Sequence, residues 1–172
     1  MSETKDFQMD YNWEIGESLG PITFDMTPED VEKLLGKPNE IREELEEETE
    51  YGVFKTIEWE YEALGITVAF EYVDDDYQWL TVFSDSLLLD GEEMFEFLKD
   101  DLLHKLEEVY NEFEIDFYFD TETNEENIEM CIFYDLGLTL WFEGTELVSA
   151  CVSFSEDDNF EEEEEEGSIH LN

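Results

Sequence analysis

Positive charge is what this sequence most lacks. Arg42 is the only arginine, and with the lysines it makes 7 basic residues against 52 acidic ones, a formal net charge of −45. DNA, RNA and anionic lipid are held through Lys and Arg on phosphate, so this composition argues against nucleic acid and against a membrane surface as partners. Histidine is almost as scarce. His104 lies in a helical stretch and His170 near the C-terminus, which leaves no His-rich metal site and no local Ser-His-Asp triad. The two cysteines, Cys131 and Cys151, sit in apolar strand-like segments and not in a spaced framework, so they read as buried free thiols. No run approaches the ~18 apolar residues of a membrane span. The opening MSETKDFQMDYNWE has no apolar signal core, and cytoplasm is the expected compartment. Neither G-x-x-x-x-G-K-S/T nor G-x-G-x-x-G occurs, so no phosphate-cradling loop is written in the chain.

Acidic residues are abundant, yet their chemistry is uninformative by position. With 52 carboxylates, a pair close in sequence says nothing about acid–base catalysis. Asp74, Asp75 and Asp76 lack calcium-loop spacing. Asp120, Glu122 and Asn124 alternate suitably, but Glu125 stands where such a loop needs glycine. The expectation is a protein that is not an enzyme and carries no metal or cofactor.

What is present is enough to build a core. The 172 residues are 41% hydrophobic and 15% aromatic, which suits one medium domain or two small ones. Three readings of the acidity stand side by side: salt adaptation, a merely solvated surface, or an acidic face made for a basic partner. Glu outnumbers Asp by 36 to 16 and aromatics are plentiful, which weighs against the first.

Residues 19–38, LGPITFDMTPEDVEKLLGKP, spell a short helix with both ends marked. Thr27 is the N-cap with Asp30 completing a capping box, Pro28 takes the first helical position, Val31, Leu34 and Leu35 form an apolar stripe, and Gly36 and Pro38 end it. Residues 11–24 read as an irregular lead-in that packs Trp13 or Phe24 on that helix. The acidic stretch after Pro38 reads as an exposed helical turn or loop. Residues 51–84 read as three strands. Ile57, Trp59 and Tyr61 alternate with Glu58, Glu60 and Glu62, then Ile66, Val68, Phe70 and Tyr72 with Thr67, Ala69 and Glu71. The third strand, Trp79 to Phe83, is apolar on both faces, and its inward side is not assignable. Met94, Phe95, Phe97, Leu98, Leu102, Leu106 and Val109 then follow helical spacing. Phe113, Ile115, Phe117 and Phe119 alternate as a strand, 120–127 read as a polar hairpin loop, and three strands follow near 128–134, 137–143 and 147–155.

The two halves correspond. LGITVAFE at 64–71 matches LGLTLWFE at 136–143, offset by 72, and Val31-x-x-Leu34-Leu35 matches Met94-x-x-Phe97-Leu98. A helix followed by an antiparallel meander therefore occurs twice. The expected fold is α+β: two tandem modules, each with a helix or two on one face of a 3–4-stranded antiparallel sheet. The expected division is a lead-in at 1–18, repeats at 19–84 and 85–155, and a disordered acidic tail at 156–172 that carries six consecutive glutamates.

MTPEDVEKLLGKP at 26–38, followed by a meander, resembles the helix-then-sheet module of the small outer-membrane assembly lipoproteins. Two such modules in tandem resemble the β-lactamase-inhibitor-protein fold. That resemblance implies a sheet whose open face grips a protein partner. The cysteine pairing within each repeat of the secreted inhibitor is absent here.

The functional expectation joins charge to face: an intracellular inhibitor or immunity protein that neutralises a basic partner, such as a bacterial toxin nuclease. The alternatives are a DNA mimic, a structural or envelope-assembly module, and an acidic solvated domain. The partner-binding candidates are Glu58, Glu60, Glu62 and Glu71 on the acidic face, with Trp141 and Glu143 at the equivalent places in the second repeat. By alternation Trp141 points outward as an aromatic anchor; packing between the repeats is the competing role for its ring.

Overall fold

The first helix forms where its end signals place it. In the computed structural model, which describes residues 9–43 and 46–154, α1 spans Pro28–Leu35. The Asp30 N–H donates to Thr27 Oγ1 at 3.2 Å, and the Thr27 N–H donates to Asp30 Oδ2 at 3.1 Å. Val31 is fully buried. Gly36 closes the helix with a φ of 86°, a value that favours glycine.

Before it lie three two-residue strands, β1 (Trp13–Glu14), β2 (Ser18–Leu19) and β3 (Ile22–Thr23), which pair antiparallel in that order. The lead-in is thus ordered, not irregular. After α1 come β4 (Glu40–Glu43), β5 (Glu47–Thr49), β6 (Gly52–Tyr61), β7 (Ile66–Val73) and β8 (Asp76–Ser84). The acidic stretch after Pro38 therefore forms edge strands against β6, where every second side chain can stay in water. A small hairpin follows, β9 (Leu88–Leu89) and β10 (Glu92–Glu93), then α2 (Lys99–Glu112). The last strands are β11 (Asp120–Thr123), β12 (Ile128–Phe133), β13 (Leu138–Glu143) and β14 (Glu146–Val152).

The expected pair of separate helix-plus-sheet modules does not occur. Among the described residues the molecule is sheet-dominated, with two α-helices and one nine-stranded antiparallel sheet ordered β11-β12-β13-β14-β8-β7-β6-β4, with β5 also paired to β6. The physical cause lies at the end of each meander. A sheet of 3–4 strands leaves its last strand with unpaired N–H and C=O groups. Here those two edges satisfy each other, Val82–Ser84 of β8 pairing with Ala150–Val152 of β14. Corresponding turns survive within this single sheet. Gly65 and Gly137 have φ of 68° and 67°. Their carbonyls accept from the N–H of Asp85 and of Ser153, at 3.1 and 2.9 Å.

Two further expectations change. The helical spacing from Met94 continues through Val109, yet residues 94–96 form only a 3-10 turn, and α2 begins at Lys99. Residues 113–119 alternate like a strand but pair with none among the described residues, and β11 starts at Asp120 inside the expected loop. Their aromatic rings serve packing instead. Phe117 lies edge-on to Tyr110 at 5.1 Å, and Phe119 stacks on Phe133 at 4.7 Å.

One core unites the chain. Val31 of α1 and Leu102, Leu106, Val109 and Tyr110 of α2 join Phe70, Leu80, Val82, Phe133, Leu140 and Phe142 of the sheet, with Trp13 and Phe24 from the N-terminal strands. Both helices thus serve the same face of the sheet. The tail beyond residue 154 lies outside the described residues.

Candidate functional site

Side chains alternate across a strand, so the core set fixes what the opposite face must hold. On β7 the inward residues are Ile66, Val68 and Phe70, which leaves Thr67, Ala69 and Glu71 outward. Ladder partners share a face. Glu58 opposes Ala69 and Glu60 opposes Thr67. Arg42 opposes Glu58 and Glu40 opposes Glu60. Across β8, Trp79 opposes Glu71, Thr81 opposes Ala69 and Phe83 opposes Thr67. The outer face continues through Cys151 and Ser149 of β14, Thr139 and Trp141 of β13, and Met130 and Ile132 of β12.

Glu58, Glu60 and Glu71 therefore share one face, as alternation required, but they do not form a bare acidic patch. The single arginine sits among them. Arg42 Nη2 donates to Glu58 Oε1 at 3.3 Å and Nη1 to Glu60 Oε1 at 3.2 Å, with Glu40 Oε1 at 3.6 Å. The Glu58 and Glu60 side chains keep only 21% and 33% of their exposure. Glu71 accepts from Thr56 Oγ1 at 2.8 Å. Burial lifts its pKa above the ordinary carboxylate value; the Thr56 bond opposes that rise, and the Glu58 charge adds to it. Glu62 lies in the exposed turn after β6, its backbone N–H bonded to Asn39 Oδ1 at 2.6 Å. Glu143 ends β13, exposed and opposite Glu146, on the far side of the face from the other four.

Trp141 is on the outer face, half-buried and outside the core cluster. Its ring also reaches the first half of the chain, stacking on Phe83 at 5.8 Å with the planes 28° apart. The strand between them carries Ser149 opposite Trp141 and Cys151 opposite Phe83, small side chains that let two large rings meet above it. The Cys151 thiol is pushed up to about 12 by burial, against the effect of hydrogen bonds with Thr139. It is protonated and a poor nucleophile at neutral pH.

Trp79 and Phe83 escape a reading of the sequence because β8 is apolar on both sides. The phase is set by pairing with β7, which draws Leu80 and Val82 inward. The Arg42 fork has one sequence signal, the isolation of the only arginine within an acidic strand.

Among the described residues, no group of three or more His, Cys, Asp or Glu side chains is arranged to hold a metal ion, and no helix is long and apolar enough to cross a membrane. Comparison with known proteins finds no family, no curated protein and no solved structure that matches the chain.

Proposed function

We propose that this protein is an acidic protein-binding module that docks a basic protein against the outer face of its sheet, acting in the cytoplasm as an inhibitor or immunity protein of a basic enzyme such as a toxin nuclease. The observation that carries this reading is the joining of two features on one face. Glu58, Glu60 and Glu71 lie at one end, and the Phe83–Trp141 stack lies at the centre. Long-range charge speeds encounter and selects sign, and a desolvated aromatic anchor supplies the lasting part of affinity. Among the described residues, both helices pack on the opposite face.

Capture from an extract of the native host tests it. The wild-type protein, Trp141→Ala, the triple variant Glu58→Gln/Glu60→Gln/Glu62→Gln, and a control altered on α2 (Glu107→Gln/Glu108→Gln) are immobilised at low salt. The expected result is one basic protein retained by wild type and control and released from the two face variants. Equal retention by all four proteins overturns the sheet-face reading.

A further inference from the structure

A second recognition element borders the same face, where β8 outruns its partner. β14 pairs only with Val82–Ser84, and beyond that the Ser153 hydroxyl donates to the Leu80 carbonyl at 2.8 Å. Upstream of Leu80, no strand among the described residues pairs with β8 on that side. On its other side the ladder is bulged, because Trp79 opposes Glu71 while Tyr77 opposes Tyr72, which leaves Gln78 without a partner. Bulges commonly re-aim side chains near functional sites.

A cleft of about 800 Å³ opens here, within the range of pockets that enclose a side chain or small ligand. Its walls are Trp79 and Phe154, which meet edge-on at 5.7 Å, with Phe24 behind them. Gln78, Glu17 and Asp25 supply the polar rim. Asp25 Oδ1 already accepts from Thr23 Oγ1 at 2.6 Å, which fixes its carboxylate in place. Among the described residues that line the cleft there is no lysine, arginine or histidine. Aromatic faces beside two carboxylates, one of them fixed, favour an organic cation, by ring quadrupole and by charge together. An anion gains neither.

We infer that this cleft receives an arginine or lysine side chain from the basic partner, laid against the wall that Trp79 and Phe154 form together, with its charge toward Glu17 and Asp25. The inference rests on the protein-binding reading, and it places a specificity pocket at one end of the docking face. Trp79 joins the two, since it lines the cleft and opposes Glu71 on the face. The sheet face attracts basic proteins as a class. The cleft selects one that presents a side chain at this position.

The full chain, labelled with fluorotryptophan, gives one fluorine resonance for each of Trp13, Trp59, Trp79 and Trp141. It is titrated with acetyl-Gly-Arg-Gly-amide, and with the neutral acetyl-Gly-Gln-Gly-amide, in about 0.5 M NaCl to suppress long-range attraction. The expected result is a saturable shift of the Trp79 resonance with the arginine peptide alone. Trp79→Ala should weaken binding, read from peptide line broadening, by about tenfold, and Glu17→Gln or Asp25→Asn by about threefold. Glu17 is exposed, so its variant tests the cleft even if Trp79→Ala folds poorly. A shift at Trp141 without one at Trp79 overturns the cleft and leaves the sheet-face reading standing. Movement at neither ring, or equal movement with the glutamine peptide, overturns the cleft, while the capture experiment judges the face independently.

Discussion

Phe83 and Trp141 sit on strands that are not neighbours, yet their rings stack at 5.8 Å across β14. The contact ties the two meanders together on the face opposite the helices. An aromatic pair of this kind contributes about 0.5–1.5 kcal/mol beyond its buried area. Trp141→Ala should therefore cost a modest amount of stability, about 1–2 kcal/mol, and keep the far-ultraviolet dichroism of the sheet. Phe133→Ala, in the core, should cost about 3–5 kcal/mol. Urea titrations of both variants measure the contrast; equal losses would place Trp141 in the core.

Glu71 gives the stability a pH signature. Its pKa is raised in the folded state, chiefly by burial, so the folded protein holds that proton more tightly than the unfolded chain does. The favourable contribution is complete below the unfolded carboxylate value and is lost as pH rises through the folded one. Glu71→Gln, which keeps an acceptor for Thr56, should raise the melting temperature at pH 7 by about 2 °C and leave it unchanged near pH 4. A rise of the same size at both pH values would contradict the assignment.

Arg42 has opposing effects on folding and on binding. It bridges Glu58 and Glu60, so Arg42→Gln should lower the melting temperature at low salt, and the loss should shrink as salt screens the exposed carboxylates. The same change uncovers negative charge on the docking face. Association with a basic protein should accelerate by about threefold at low salt. Melting curves and stopped-flow traces at two salt concentrations check the pair of effects.

Gly137 has no room for a side chain. Its φ is 67°, and a Cβ would lie 2.5 Å from the carbonyl oxygens of both Ser153 and Phe154. Gly137→Ala should cost about 3 kcal/mol or more. Gly144, with φ of 66° and open space around it, should tolerate the same change with a loss of about 1 kcal/mol. Paired urea titrations decide.

Much of this was legible in the chain, because local rules governed it. Thr27, Pro28 and Gly36 marked α1 through backbone needs that do not depend on the rest of the fold. Glu58 and Glu60 announced their face by period two. The Leu64-Gly65 and Leu136-Gly137 turns matched because both require positive φ. What escaped depended on pairing partners distant in sequence. The β8–β14 junction joins residues about 70 positions apart and turns two expected sheets into one. The same junction decides that Phe83 faces Trp141. Phe117 and Phe119 alternate like a strand, but rings that pack on Tyr110 and Phe133 need no ladder. Glu40–Glu43 read as an exposed helical turn or loop because of its acidity, yet β6 offers it an edge on which its side chains stay in water.

The central claim is that charge and aromatic anchor act on one face in separable ways. The measurement that tests it most directly is the binding kinetics of the captured basic partner with wild type, the triple Glu58→Gln/Glu60→Gln/Glu62→Gln variant and Trp141→Ala, each at low and high salt. The expected result is an association rate that falls severalfold in the triple variant at low salt and converges with wild type at high salt. Trp141→Ala should speed dissociation by about thirtyfold, the equivalent of about 2 kcal/mol, with little salt dependence. Unchanged rates in both variants, with their folds intact, would contradict the claim and leave the acidity as a property of the solvated surface.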